Sequence, residues 1–226
     1  MSDGAARWPA LSALQRRVLG VLIEKQKTSP DVYPMSVNAL VAAANQKSNR
    51  DPVMTVDDAA IEETLQELLP LDLVVRVDTG RVEKWRHRGY ERWPVDKNSI
   101  AVLAELFLRG PQTEGALRAH VSRMEPIPDL PALHAVVAPM VESGLAVWLS
   151  PEGRRGALLT HGFHAAEELE RLRSGAAAPP VEAPVAASGH LDDLRSELAE
   201  LRRQVEELQA VVARLAAERP ASGPAQ

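Results

Sequence analysis

The sequence predicts a mainly α protein with small β wings, an α+β chain in which two similar helical units precede a linker and one long C-terminal helix. Three observations carry this. Two sets of three short amphipathic segments, most opening on a capping residue, are each closed by a strand–turn–strand pattern. A Pro- and Ala-rich run of low complexity comes after them. Beyond it, leucines and valines fill an unbroken 3-4 repeat.

Ser12 with Gln15 three residues later is a capping-box pattern. Leu14, Val18, Leu19, Val21 and Leu22 then keep a helical period, with Arg16, Arg17, Glu24 and Lys25 expected to face out. Pro30 and Pro34 end this helix. Ser36 caps a second helix through about Ala44, with Met35 and Leu40 placed as a hydrophobic staple. A third is expected to begin at Thr55, with Asp58 completing a capping box, and to bury Ile61, Leu65, Leu68 and Leu69. Leu73–Val77 is β-branched, Asp78-Thr79-Gly80 turns the chain and Arg81–Arg86 returns it, a hairpin signature. Three helices and a hairpin make the plan of a winged helix, a helix-turn-helix variant.

The plan recurs. Ser99–Leu108 is helical and ends at Gly110-Pro111; Thr113 caps a helix through Val121; Asp129 caps another through Val141. Leu145–Leu149 and Gly156–Thr160 then bracket a turn rich in Pro, Gly and Arg. The expected domains are residues 8–97 and 98–173, each a winged helix. Residues 174–190 read as a linker, 191–217 as a coiled coil and 218–226 as a disordered tail. Leu191, Leu194, Leu198, Leu201, Val205, Leu208, Val212 and Leu215 occupy every a and d position, which predicts homodimerisation through a parallel two-stranded coil.

Composition narrows the function classes. The chain has no cysteine, which excludes disulfides, cysteine nucleophiles and thiolate metal sites. The first residues lack the apolar core of a signal peptide, and no window approaches about 18 uninterrupted apolar residues, so no membrane association and a cytoplasmic location are expected. Residues 1–98 carry 14 Lys+Arg against 14 Asp+Glu, residues 99–174 carry 7 against 9, and residues 175–226 carry 5 against 8, giving the net charge of −5. No region is basic overall, so any nucleic-acid surface must be local.

Phosphate-cradling and nucleophile-elbow motifs are absent from the sequence. His161 and His164 are spaced as metal ligands can be, but no third ligand is evident, and they read as surface histidines where the second wing leads into a helix. The expectation is a protein that is not an enzyme, with no catalytic residues, no metal site and no cofactor. Two patches suit ligand contact. One is the polar run Asn45, Gln46, Lys47, Ser48, Asn49 and Arg50, whose amide, hydroxyl and cationic groups fit phosphate or base-edge contacts. The other is the first wing, with Arg81, Lys84, Arg86 and Arg88 around Trp85, which either packs back on the core beneath a solvated charged face or stacks on a base. Against nucleic acid stands the third helix, where Asp57, Asp58, Glu62, Glu63 and Glu67 occupy the element that normally enters a groove.

The stretch Tyr33–Met54, with Val18–Lys25 before it and Leu108-Arg109-Gly110-Pro111-Gln112-Thr113-Glu114-Gly115-Ala116-Leu117-Arg118 after it, resembles the YceH family of uncharacterised bacterial proteins over residues 11–165. The resemblance implies tandem winged helices and no established activity. Ala44 stands where the family commonly has cysteine, and Gly156 where it commonly has an acidic residue. Two functions are therefore expected: DNA association of a regulatory kind through the polar loop and wing, or a protein–protein adaptor whose winged helices dock a partner and whose coiled coil supplies valency.

Overall fold

In the computed structural model, two helices, α1 (Ala13–Thr28) and α5 (Lys97–Arg109), run against each other through the middle of the described residues. Residues 8–78, 82–154 and 156–177 are described; Arg81, the residues of the predicted coiled coil from Leu191 to Leu215, and all of the expected linker beyond 177 lie outside them. The described residues belong to one unit with a continuous hydrophobic core. It is an α+β fold, rich in helix, with two small antiparallel sheets.

The first half runs α1, a single helical turn at Pro30–Val32, α2 (Val37–Ala44), α3 (Asp58–Leu68), then strands β1 (Val74–Asp78) and β2 (Glu83–His87). Ser12 and Gln15 form the expected capping box, and Ser36 accepts from the Ala39 N–H. The third helix starts later than the sequence suggests. Its N-cap is Asp57, not Thr55, because the side chain of Asn45 holds both the N–H and the carbonyl of Val56 at 2.8 Å and keeps that residue out of the helix. β1 and β2 pair from Val74 with His87 to Asp78 with Glu83. Met35, just before α2, adds a bridge to Trp85.

After a short helix α4 (Gly89–Arg92), the second half repeats this order: α5, β3 (Gln112–Thr113), α6 (Glu114–Val121), α7 (Leu130–Glu142), β4 (Ala146–Trp148) and β5 (Leu158–His161). The residues just before α6 again join the hairpin, making a sheet of order β3-β5-β4. Asp96 caps α5, taking the N–H groups of Asn98 and Ser99, so the helix begins at Lys97, two residues before the expected start at Ser99. Helix α8 (Ala166–Ala177) is the last element among the described residues and extends past residue 174.

Why α1 and α5 become central is explained by their faces. Every residue of α1 from Arg16 to Glu24 and of α5 from Ser99 to Leu108 is buried. A surface helix would show a single apolar stripe; these are covered on all sides by both halves. Gly20 lets them approach, since a Cβ there would lie 2.9 Å from Cγ of Leu108 and 3.1 Å from Cβ of Phe107. The outward placement expected for Arg16, Arg17 and Glu24 is therefore corrected: they are 8%, 1% and 2% exposed. Membership of a shared helix pair, rather than of one domain's rim, puts them inside.

Candidate functional site

Charged side chains in the seam between the halves need partners, because an unpaired buried charge is costly. Arg17 and Glu24 lie two turns apart on one face of α1. Below them passes the loop joining α2 to α3, formed by the polar run Asn45–Arg50 and its continuation to Val56. Asn49 takes a left-handed conformation (φ 58°), tolerated by its short side chain. Arg50 then turns inward, with Nη2 2.5 Å from Oε2 of Glu24 and Nη1 3.2 Å from Oε1. Its Nε donates to the Ala43 carbonyl, Nη1 also to the Asn49 carbonyl and Nη2 also to Oε1 of Gln46. All five guanidinium N–H groups are thus used.

The second half closes on the same carboxylate. Arg123, between α6 and α7, bonds Oε1 of Glu24 with Nη1 and reaches Oε2 of Glu105 at 2.9 Å with Nη2. Glu105, on α5, is fully buried, and its Oε1 lies 2.8 Å from Nε of Arg109. Arg109 donates in turn to Oδ1 of Asn49 at 2.5 Å, and the Asp51 N–H donates to the Leu108 carbonyl at 2.9 Å. Lys27, Glu125 and Lys97 make a further tie at 3.0 and 2.8 Å. Burial alone would push the Glu24 carboxyl up, but the hydrogen bonds and charges of Arg50 and Arg123 outweigh it and hold the group below the usual carboxylate range. This clamp joins the two stretches that carry the family resemblance, Asn45–Met54 and Leu108–Thr113.

The predicted contact residues are thereby divided. Asn45, Gln46, Asn49 and Arg50 hold the loop and the seam; Lys47 and Ser48 alone among the six are exposed. On the wing the positive charges are matched from within: Arg76 by Glu83 at 3.0 Å, Arg86 by Glu91 at 2.8 Å, and Arg88 by Asp72. Lys84 is half-buried, with no ion pair among the described residues. Trp85 is 1% exposed under the guanidinium of Arg76, so its indole cannot stack on a base; its strand position faces the core instead of solvent.

His161 and His164 also differ from expectation, being 1% and 6% exposed. β5 carries His161 between Phe107 and Phe163, and the two imidazoles stack with centroids 3.8 Å apart. Gly162 between them is a close approach, since a Cβ would meet the Gly144 carbonyl oxygen at 1.8 Å. Burial lowers both histidines, His161 far below the ordinary value. His164 lies 3.1 Å from Nη1 of Arg16 and 3.0 Å from Oε1 of Glu168. Burial would raise Glu168, but Arg16, bonded to it through both terminal nitrogens at 2.8 Å, and His164 bring it down to about 2. Among the described residues no group of three His, Asp or Glu side chains is arranged to hold a metal ion. No described helix is long and apolar enough to cross a membrane.

The described surface includes an acidic face without ion pairs. The outer face of α3 presents Asp57, Asp58, Glu62, Glu63 and Glu67, all exposed, and none is in an ion pair among the described residues.

Fold and seam together define an α+β protein of two repeated helical units locked by a buried arginine–glutamate clamp. The chain belongs to the family described as "Protein of unknown function, DUF480", whose model matches residues 11–153. It is similar to a UPF0502 protein of Rhodopirellula baltica, 45% identical over 70% of this chain and 67% of the relative. Another UPF0502 protein, from Geotalea daltonii, is 49% identical over 56% of this chain and 59% of the relative. With one from Hahella chejuensis the likeness spans 88% of this chain and 90% of the relative at 39% identity.

Proposed function

We propose that this protein is a non-enzymatic adaptor built of tandem winged helices, which docks a protein partner of basic surface on the acidic face of α3. The repeated order of three helices and a hairpin supports the winged-helix reading, and so does the resemblance of residues 11–165 to the YceH sequences. The observation that carries the function is a charge asymmetry. Arg50, Arg76, Arg86 and Arg88 of the polar loop and first wing are paired with carboxylates of the chain, whereas Asp58, Glu62 and Glu63 are exposed and unmatched among the described residues. A polyanion is repelled by such a face, and a cationic protein surface is steered to it. The heptads of residues 191–217 add valency by pairing two chains.

DNA association through the loop and wing is the competing reading, and Lys47, Ser48 and Lys84 are what it retains. Capture from cell lysate, comparing the full chain with an Asp58→Lys/Glu62→Lys/Glu63→Lys variant, separates the two. The adaptor reading expects a protein captured by the wild-type chain and lost with the variant, and no retention of duplex DNA at low salt. Retention of duplex by the wild-type chain, weakening linearly in log–log salt plots and diminished by Lys47→Ala, sinks it. Light scattering with and without residues 191–226 reads the valency: a dimer mass is expected to fall to a monomer's.

A further inference from the structure

The seam holds more positive than negative charge. The guanidinium groups of Arg17, Arg50, Arg109 and Arg123 meet there, and among the described residues two buried carboxylates, Glu24 and Glu105, are set against them. Arg17 is the one left over. It is 1% exposed and has no carboxylate in ion-pair reach among the described residues. Its terminal nitrogens donate to the carbonyls of Ala44 at 3.1 Å and Pro52 at 2.6 Å, and its Nε has no acceptor. Nε of Arg109 is buried as well, and sits beside Glu105 without the alignment of a hydrogen bond.

Arg17 and Arg109 line one cleft of about 190 Å³, between α1, α5, the 51–54 stretch and α8. Met54, Leu106 and Phe107 form an apolar wall there. Arg16, also on the lining, is already matched by Glu168, and the exposed Asp51 disfavours a large polyanion. A buried arginine without an ion pair, sharing a small half-apolar cleft with a second arginine, has the chemistry of a site for one planar or tetrahedral oxyanion. We infer that this cleft binds a small molecule with a single carboxylate or phosphate group, the oxyanion on Arg17 and Arg109 and a compact apolar body against Met54 and Phe107. Burial, then the charge of Arg50, lowers the Arg17 guanidinium to about 10, the shift a bound anion would reverse. The site touches both halves and α8, so its occupant would stiffen the seam; it does not rest on the adaptor reading.

Isothermal titration of the full chain with benzoate and, separately, with phenyl phosphate at fixed ionic strength tests it. One saturable site per chain is expected for at least one probe, and the probe that binds identifies the head group. Ala13→Trp, at an exposed position on the cleft's rim, is expected to block binding with the thermal midpoint unchanged. Arg17→Lys, which loses the guanidinium donors, is expected to weaken binding about tenfold or more. If Arg17→Lys does not fold, Ala13→Trp alone decides. Binding that survives Ala13→Trp, or that is undiminished in a folded Arg17→Lys chain, overturns the inference, as does the absence of saturation by both probes up to about 10 mM, beyond the range of weak specific sites.

Discussion

Glu24 shows at the scale of one residue what the seam depends on. Its carboxylate receives Arg50 from the first half and Arg123 from the second, with 3% of its side chain exposed. Replacing a buried ion pair wholesale can be nearly neutral, but removing one member leaves the other charge stranded. Glu24→Gln should therefore cost about 3 kcal/mol in urea unfolding, whereas Glu24→Leu combined with Arg50→Met should cost clearly less. Equal losses for the single and double variants would mean that the pair's charge is not what matters at this point. In the sequence Arg50 is one cation in a polar run, and polarity of that kind fits a solvated loop as well as a buried clamp. Nothing in the local pattern pairs position 50 with position 24, because the contact exists only once α1 is enclosed. The nearest signal is Glu24 itself, a carboxylate continuing the apolar run Val18–Ile23, which is wider than the single stripe of a surface helix.

At the scale of elements, legibility tracks the range of the interaction that sets each one. Ser12, Ser36, Thr113 and Asp129 cap their helices as their patterns predict, since a cap is decided within three or four residues. The start of α3 departs from its local pattern because Asn45, eleven residues before Val56, ties that residue down. β3 has two residues and no pattern to betray it; it exists because β5 lies alongside. The α1–α5 contact is equally non-local, and Gly20 is its test. Alanine would add helix propensity of about 1 kcal/mol, but its methyl would press on Leu108 and Phe107 from 2.9–3.1 Å. Overpacking of this kind costs about 1–3 kcal/mol, so Gly20→Ala is expected to lower stability by about 1–2 kcal/mol net. A denaturation midpoint that rises would show that the two helices have room to separate.

Over the described molecule, burial holds histidines neutral while arginine contacts hold carboxylates ionised, and the two together govern the response to acid. Burial lowers His87 to about 4, with Glu91 opposing the shift, and His161 and His164 are lowered too. The folded chain keeps these imidazoles neutral, whereas unfolded ones take a proton near the ordinary value of 6.5. Between pH 6.5 and the folded values the unfolded state binds more protons, so stability falls as the pH falls through that window. The carboxyls act lower down. Glu24 and Glu168 have folded values under the ordinary 4.5, so their contribution is full above that pH and is lost as the pH falls through the folded values, which for Glu168 is about 2. Stability should therefore decline in two overlapping stages from pH 7 to pH 3. His87 isolates the first stage, being 2% exposed at the base of the first hairpin, with Nε2 2.8 Å from Oε1 of Gln26 and Nδ1 accepting the Gly89 N–H. A shift from 6.5 to about 4 is worth at most about 3 kcal/mol. His87→Gln, which does not titrate, should unfold more readily at pH 7 yet lose less stability between pH 6.5 and pH 4 than the wild-type chain. Parallel pH profiles for the two proteins in that window would place the acid response elsewhere, in the stacked pair His161 and His164.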